Sequence, residues 1–353
     1  MQTCTVLSNK AYLDGGGLYA TGSVTMKEAT VASNTATTGA GGGIYAQTVI
    51  SGYKYSSGWV PDDSVTTSTV IMNNSAYGNG GGVYASVYFK NVIVTRNTST
   101  EGSGGGVYNV GSYVNLTDCT ISYNTAATSI GALTAPRVNL TNCNILYNSA
   151  PTVGGANANT LNATNSVILG NKATNGTRGG INATTLNLTN STVSKNTATS
   201  SAGGVNAKNI TIVNSTISNN EAIGGAGIMS SGVLLVSGSR IYGNKASANT
   251  GGGISATGLV YINYKLEGEN YVIDADAGKT YIYENSATSG AGIKGVDIYV
   301  YNSEILRNVS SLNGGGISST DVNISKSTIS NNTATNNGGG LYASNSATIT
   351  ATN

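Results

Sequence analysis

The residues best equipped to do chemistry in this 353-residue chain are aromatics and carboxylates gathered in two places. Between Gln47 and Thr67, the stretch SGYKYSSGWVPDDS carries Tyr53, Tyr55 and Trp59, the only tryptophan. Between Thr257 and Thr280, the stretch TGLVYINYKLEGENYVIDADAGKT carries Tyr261, Tyr264 and Tyr271 beside Glu267, Glu269, Asp274 and Asp276. Flat rings with a polar rim are suited to gripping a partner. The alternative is that both stretches are hairpins covering the flank of the fold, with their aromatics packed down. A third aromatic set, Tyr19, Tyr45, Tyr84 and Tyr108, follows successive Gly-rich runs and returns at Tyr342. If it faces outward it can hold a glycan or a neighbouring subunit, or simply stabilise a sheet by cross-strand stacking.

Catalysis finds less support. The chain has 0 histidines, which removes the commonest general base and metal ligand. Its acidic residues are scattered, apart from Asp297 and Asp321, which occupy equivalent places in adjacent repeats. Two carboxylates so placed could share a cation or shift each other's pKa, or stand solvated on an outer face. Asp274 and Asp276 match a Ca²⁺ site in ligand type only, without EF-hand spacing. No metal site, cofactor or catalytic residue is expected. A polysaccharide-active enzyme is the alternative, and it would need two carboxylates roughly 5 to 10 Å apart in one groove. Cys119 and Cys143 also occupy equivalent places, close enough for a disulfide if the repeats stack at strand spacing. Serine fills that place elsewhere, which favours cysteine as a small buried residue; Cys4 lies there without a neighbour.

What positions these residues is a repeat. An aliphatic residue three before an Asn recurs thirteen times, from Val6/Asn9 through Val193/Asn196 and Ile217/Asn220 to Ile329/Asn332. A Gly-rich run ending in an aliphatic residue, or in Ala156 once, follows each copy, 23 to 26 residues after the last apart from two spacings of 39. Ten and eight residues before Asn in eight of the repeats stand further residues that are mostly aliphatic, such as Val114 and Leu116 or Val138 and Leu140. This is period-two alternation in two short runs with a break of phase between them; the GGGIYA-type run supplies a third strand. Nothing has helical spacing. The pattern predicts an all-β parallel β-helix of about thirteen coils, a single domain over 1–353 with insertions at about 47–67 and 257–280. Equivalent residues then stack ~4.8 Å apart, with Asn at one bend in a hydrogen-bonded ladder and Gly at another for its freedom in φ. On the fifth to eighth coils the outward positions read Asn115-x-Thr117, Asn139-x-Thr141, Asn162-x-Thr164 and Asn187-x-Thr189. This array is similar to the Thr faces of ice-binding solenoids, and each copy is also an N-x-[ST] sequon.

The motifs GGG[ILV] and [VI]xxN resemble the GGA[ILV] and FxxN repeats of chlamydial polymorphic outer-membrane proteins over nearly the whole chain, with Val or Ile in place of Phe. The resemblance implies a right-handed β-helix and a secreted adhesin of the autotransporter-passenger kind. Right-handedness also agrees with the general preference of parallel crossovers.

Composition bounds the rest. Only 9% of residues are charged and the net charge is +2, so no nucleic-acid partner is expected. No apolar run is long enough to span a membrane, and no secretory leader precedes the first repeat. The expected setting is extracellular or at the cell surface, with glycans or proteins of host or neighbouring cells as partners. Neither end carries a polar cap. That predicts either a piece of a longer chain or end-to-end stacking of Met1–Asn9 on Ser344–Asn353.

Overall fold

The computed structural model describes residues 4–56, 58–109, 111–248 and 251–351. Met1, Gln2, Thr3, Thr352 and Asn353, which the stacking expectation invokes, lie outside the described residues. The fold is an all-β parallel β-helix, and the described residues contain no helix. The chain separates into two compact units, Met1–Asn182 and Ala183–Asn353.

In each unit every coil contributes to three parallel sheets. The first holds the aliphatic residue three before each Asn. In the first unit Val31 pairs with Ile71, Ile71 with Val94, and Ile121 with Ile145. In the second, Val193 pairs with Ile217 and Ile241 with Ile282. All of these side chains are fully buried. Unbroken register across each insertion, Val31 to Ile71 and Ile241 to Ile282, means the extra residues leave the coil without disturbing its columns.

The second sheet consists of two-residue strands just after each Asn, such as Thr35–Ala36 and Thr125–Ala126. These strands are too short to show a period, and sequence patterning assigned them none. The Gly-rich run instead joins the aliphatic run after it into one long strand of the third sheet, as in Leu133–Thr141, Ala156–Thr164 and Val205–Val213. Three strands per coil is therefore correct, but they are divided differently from the expectation.

The Asn column is buried inside the coils. In the first unit, Asn97 donates from Nδ2 to Asn124 Oδ1 and to the carbonyl of Ile71, each at 3.0 Å, while its backbone N–H donates to the same Oδ1. Asn124 repeats the pattern onto Asn148 and Val94. In the second unit Asn220 does so onto Asn244 and Val193. Each amide thus bridges its two neighbours, donating to a carbonyl of the coil before and to the Asn of the coil after.

Positive φ is not confined to glycine. Gly41, at φ 65°, opens one bend, and Gly43 must be bare because a Cβ there would lie 2.7 Å from Gly82 O and 3.0 Å from Asn74 Cγ. The residue just before each ladder Asn is also left-handed, whatever its type: Arg96, Tyr123, Lys195 and Glu284 have φ of 54°, 54°, 54° and 56°. A conformation that L-residues resist is held there by the buried amide that follows. A third left-handed corner, at Asp118, Asn142, Asn165, Asn190 and Asn214, uses the side chains that tolerate it best.

Candidate functional site

The two insertions each fold as an antiparallel hairpin lying against the outer face of the third sheet of its own unit. In the first, Tyr53–Ser56 pairs with Gly58–Pro61, setting Tyr55 opposite Trp59. Gln47–Ser51 stays in the sheet. Alternation along the hairpin turns Tyr53 inward, where its hydroxyl meets Thr117 Oγ1 at 3.1 Å and its ring meets Tyr88 edge-on at 5.9 Å. Burial raises the Tyr53 phenol above its usual pKa. Trp59 stands 6.4 Å from Tyr88 at 40°, and Tyr55 lies against Trp59 at 5.4 Å with most of its surface exposed.

Together these residues bound a cleft of about 270 Å³. The hairpin supplies Tyr53 and Trp59; the sheet supplies Tyr88 and, beyond it in the same outward column, Asn115 and Asn139, with Thr117 and Thr141 on the neighbouring outward positions. Asn139 Nδ2 donates to Asn115 Oδ1 at 2.7 Å, and Asn162 Nδ2 to Asn139 Oδ1 at 2.9 Å. The residues lining the cleft are uncharged. At the base of the hairpin charges pair with one another. Lys90 donates to Asp63, whose carboxyl is thereby held below its usual pKa, and Lys54 lies 4.0 Å from Asp62. Asp62 is also lowered, chiefly by the Ser64 hydroxyl.

The sequence named Tyr53, Tyr55 and Trp59 as one group and the Asn-x-Thr rungs as another; the structure brings Tyr53 and Trp59 to the rungs, while Tyr55 lies against Trp59 outside the cleft lining. Tyr88 was missed because an aromatic at an ordinary outward position breaks no pattern. The hairpin also covers part of the Asn-x-Thr array, which is therefore not an open flat face.

In the second unit, Tyr264–Glu267 pairs with Asn270–Ile273. Tyr261 stacks on Tyr271 at 4.5 Å and on Tyr299 at 4.9 Å, and Tyr264 leans on Tyr261 at 5.4 Å. Tyr299 is the further residue that sequence reading did not single out. A second cleft of about 350 Å³ lies between Asn209, Thr211, Val233, Leu235, Leu266 and Tyr271, and it is more apolar than the first.

The Tyr19, Tyr45, Tyr84 and Tyr108 rings form a ladder with centroids 5.2, 4.8 and 5.5 Å apart and planes within 12°. Their faces cover one another, so the column presents mainly edges and hydroxyls. Burial raises the phenol pKa of Tyr45 and Tyr84. Tyr342 pairs with Ser318 rather than with another ring.

Asp297 and Asp321 do face each other in register. Asp321 accepts from Ser346 Oγ at 2.5 Å and Asn345 Nδ2 at 2.8 Å, and these bonds lower its pKa. Asp274 and Asp276 do not join other ligands in a cluster: no group of three or more metal-ligating side chains occurs among the described residues. Cys119 and Cys143 are free and buried, with Sγ atoms donating to the carbonyls of Thr117 at 3.1 Å and Thr141 at 3.2 Å. Burial pushes the Cys119 thiol up. Cys4 is exposed.

Comparison with known families agrees with this architecture. Residues 106–269 match the right-handed β-helix region. Residues 68–86 and 326–344 match the Chlamydia polymorphic membrane protein repeat, each from just before an aliphatic–Asn pair to just beyond the following Gly-rich run. No curated protein and no solved structure matches the chain. Among the described residues no helix is long and apolar enough to cross a membrane.

Proposed function

We propose that this chain, a right-handed β-helix with repeats of the polymorphic membrane protein type, is a non-catalytic adhesive protein that holds partners in hairpin-walled clefts. The repeat points to a surface-exposed protein; adhesion is the reading that the clefts add to it. The observation that carries it is the junction of Tyr53, Trp59 and Tyr88 with the Asn115–Asn139 rungs. The coils repeat the same columns, and the hairpins lie over them to build concave surfaces lined by aromatics and amides, the composition of a recognition site.

The same lining weighs against the hydrolase alternative. Glycoside hydrolysis needs two carboxyl groups across the scissile bond, and none lines the first or the second cleft. Asp297 and Asp321 project from neighbouring strands of the third sheet, with Asp321 held by Ser346 and Asn345.

The test is removal of both hairpins, replacing Tyr53–Pro61 and Tyr264–Ile273 with short Gly-Ser links. Circular dichroism of the β-helix is expected to persist, because Val31 and Ile71, and Ile241 and Ile282, already pair directly. Binding of labelled protein to cell surfaces is expected to fall to background. Undiminished binding by the hairpin-less protein would refute the assignment of adhesion to the clefts.

A further inference from the structure

We propose that the cleft beneath the first hairpin binds a neutral, extended oligosaccharide, with C–H faces of the sugar rings on Trp59 and Tyr88 and hydroxyls on Asn115, Thr117 and Asn139. This rests on the adhesive reading above and names the ligand class of its best-formed site.

Ring geometry is the first argument. In the Tyr19–Tyr108 ladder parallel rings 4.8–5.5 Å apart occupy each other's faces. In the second cleft the Tyr271 ring is likewise stacked, on Tyr261 at 20°. In the first cleft Tyr53 meets Tyr88 at 69° and Trp59 meets Tyr88 at 40°, so neither pair is stacked face to face, and Trp59 keeps 37% of its surface exposed. Open aromatic faces held at fixed tilts are what the apolar side of a pyranose packs against.

The sheet beyond Tyr88 supplies the complementary chemistry. Sugar hydroxyls donate and accept, and so do amides and threonine hydroxyls. Asn115 Oδ1 accepts from Asn139, while Asn115 Nδ2 donates to no protein atom among the described residues. The rungs recur at strand spacing, ~4.8 Å. That is close to the advance per ring of an extended β-linked hexose chain, so successive sugars can meet successive rungs.

Charge fixes the remaining choice. No ionisable acid or base lines the cleft, and the nearby Lys90 and Asp63 pair with each other. A carboxylated or sulfated saccharide would find no counter-ion. A peptide would bring backbone N–H and C=O groups that need an open strand edge, whereas the edges of these strands are paired with neighbouring coils.

Trp59 is the only tryptophan, so its emission reports this cleft alone. The whole chain is titrated with soluble hexamers of β-1,4-glucose, β-1,3-glucose, β-1,4-mannose and β-1,4-N-acetylglucosamine, with hexagalacturonate as the anionic counterpart. At least one neutral hexamer is expected to change the emission saturably, and hexagalacturonate is not. Tyr88→Ala and Asn139→Leu are expected to weaken that binding about tenfold or more, and the distant, exposed Tyr12→Ala to leave it unchanged. Both variants are checked for parent-like circular dichroism, so loss of fold is not read as loss of contact. No response to any neutral hexamer at millimolar concentration, equal binding of hexagalacturonate, or unchanged affinity in both variants overturns the proposal. Cell-surface binding is measured in parallel. If it persists without any saccharide response, the ligand class fails while adhesion stands. If it is absent while a hexamer binds, the adhesive reading fails instead.

Discussion

The first unit contains two asparagine ladders made of the same side chain at the same spacing, and they do different work. The inner one, through Asn97, Asn124 and Asn148, is fully buried, and each Oδ1 accepts from both the backbone N–H and Nδ2 of the coil before. The outer one, through Asn115, Asn139 and Asn162, is half-exposed, has one side-chain bond per rung, and runs the opposite way, from the later coil back to the earlier. The difference is one of saturation. Inner amides use their capacity on the coils before and after; outer amides retain donors, and a hairpin carries aromatic rings over two of the rungs. A repeat that stacks identical side chains thus makes a structural ladder where water is excluded and a recognition surface where it is not.

The largest effects belong to the inner column. Ile121→Asp buries an unpaired carboxylate against Val94 and Ile145 and is expected to cost about 5 kcal/mol or more. Asn124→Ala follows closely. It strips the acceptor from the Asn97 N–H and Nδ2 and the donor from the Val94 carbonyl, all inside the coil. At about 1–3 kcal/mol for each of the three buried groups left unsatisfied, the cost is at least about 3 kcal/mol. Guanidinium unfolding of parent and variants measures both. A loss below about 1 kcal/mol for Asn124→Ala would mean that the ladder is ornamental and the comparison empty.

Much of this was legible in the sequence for a physical reason: each coil must offer its neighbour the surface it receives, so a column such as Val193 and Ile217 is written out once per turn. What a column contains could be read; which other residues fold onto it could not. Tyr53 reaches Thr117, 64 residues away, by a contact made once and repeated nowhere. Tyr88 and Tyr299 occupy ordinary outward positions and became notable only when a hairpin lay over them. The ladder Asn were expected at a bend and are there, but the amount of bonding that each carries follows from burial, which spacing does not report. The left-handed corner before each Asn was missed because its residues, among them Arg96, Tyr123 and Glu284, show none of the usual preference for Gly.

The outer ladder should tolerate what the inner one does not. Asn139→Ala removes the bond to Asn115 and releases the one from Asn162 on a half-exposed face where water can replace both. Its expected cost is about 1 kcal/mol or less by the same unfolding measurement. A loss matching that of Asn124→Ala would show the two ladders to be equivalent supports.

The smallest effect is a charged counterpart of the outer ladder, the Asp297–Asp321 rung of the second unit. The Ser346 hydroxyl and then the Asn345 amide favour the ionised form of Asp321, so its folded pKa lies below the usual carboxylate value. The sign follows from linkage. A depressed folded pKa adds stability that is present above the unfolded pKa and is lost as pH falls through the folded one. The window is therefore acidic, from the ordinary aspartate range downward, with no change expected near neutrality. Carboxyl-carbon NMR of the parent should place the Asp321 midpoint below that of an unperturbed aspartate. Ser346→Ala should move it up toward the ordinary value, because the largest cause of the shift is gone while Asn345 remains. An unshifted parent midpoint, or one that Ser346→Ala leaves in place, would mean that water rather than the neighbouring strand solvates this carboxylate. A raised midpoint would instead indicate that Asp297 repels it across the rung, and the outward columns would then tolerate like charge less well than they tolerate amides.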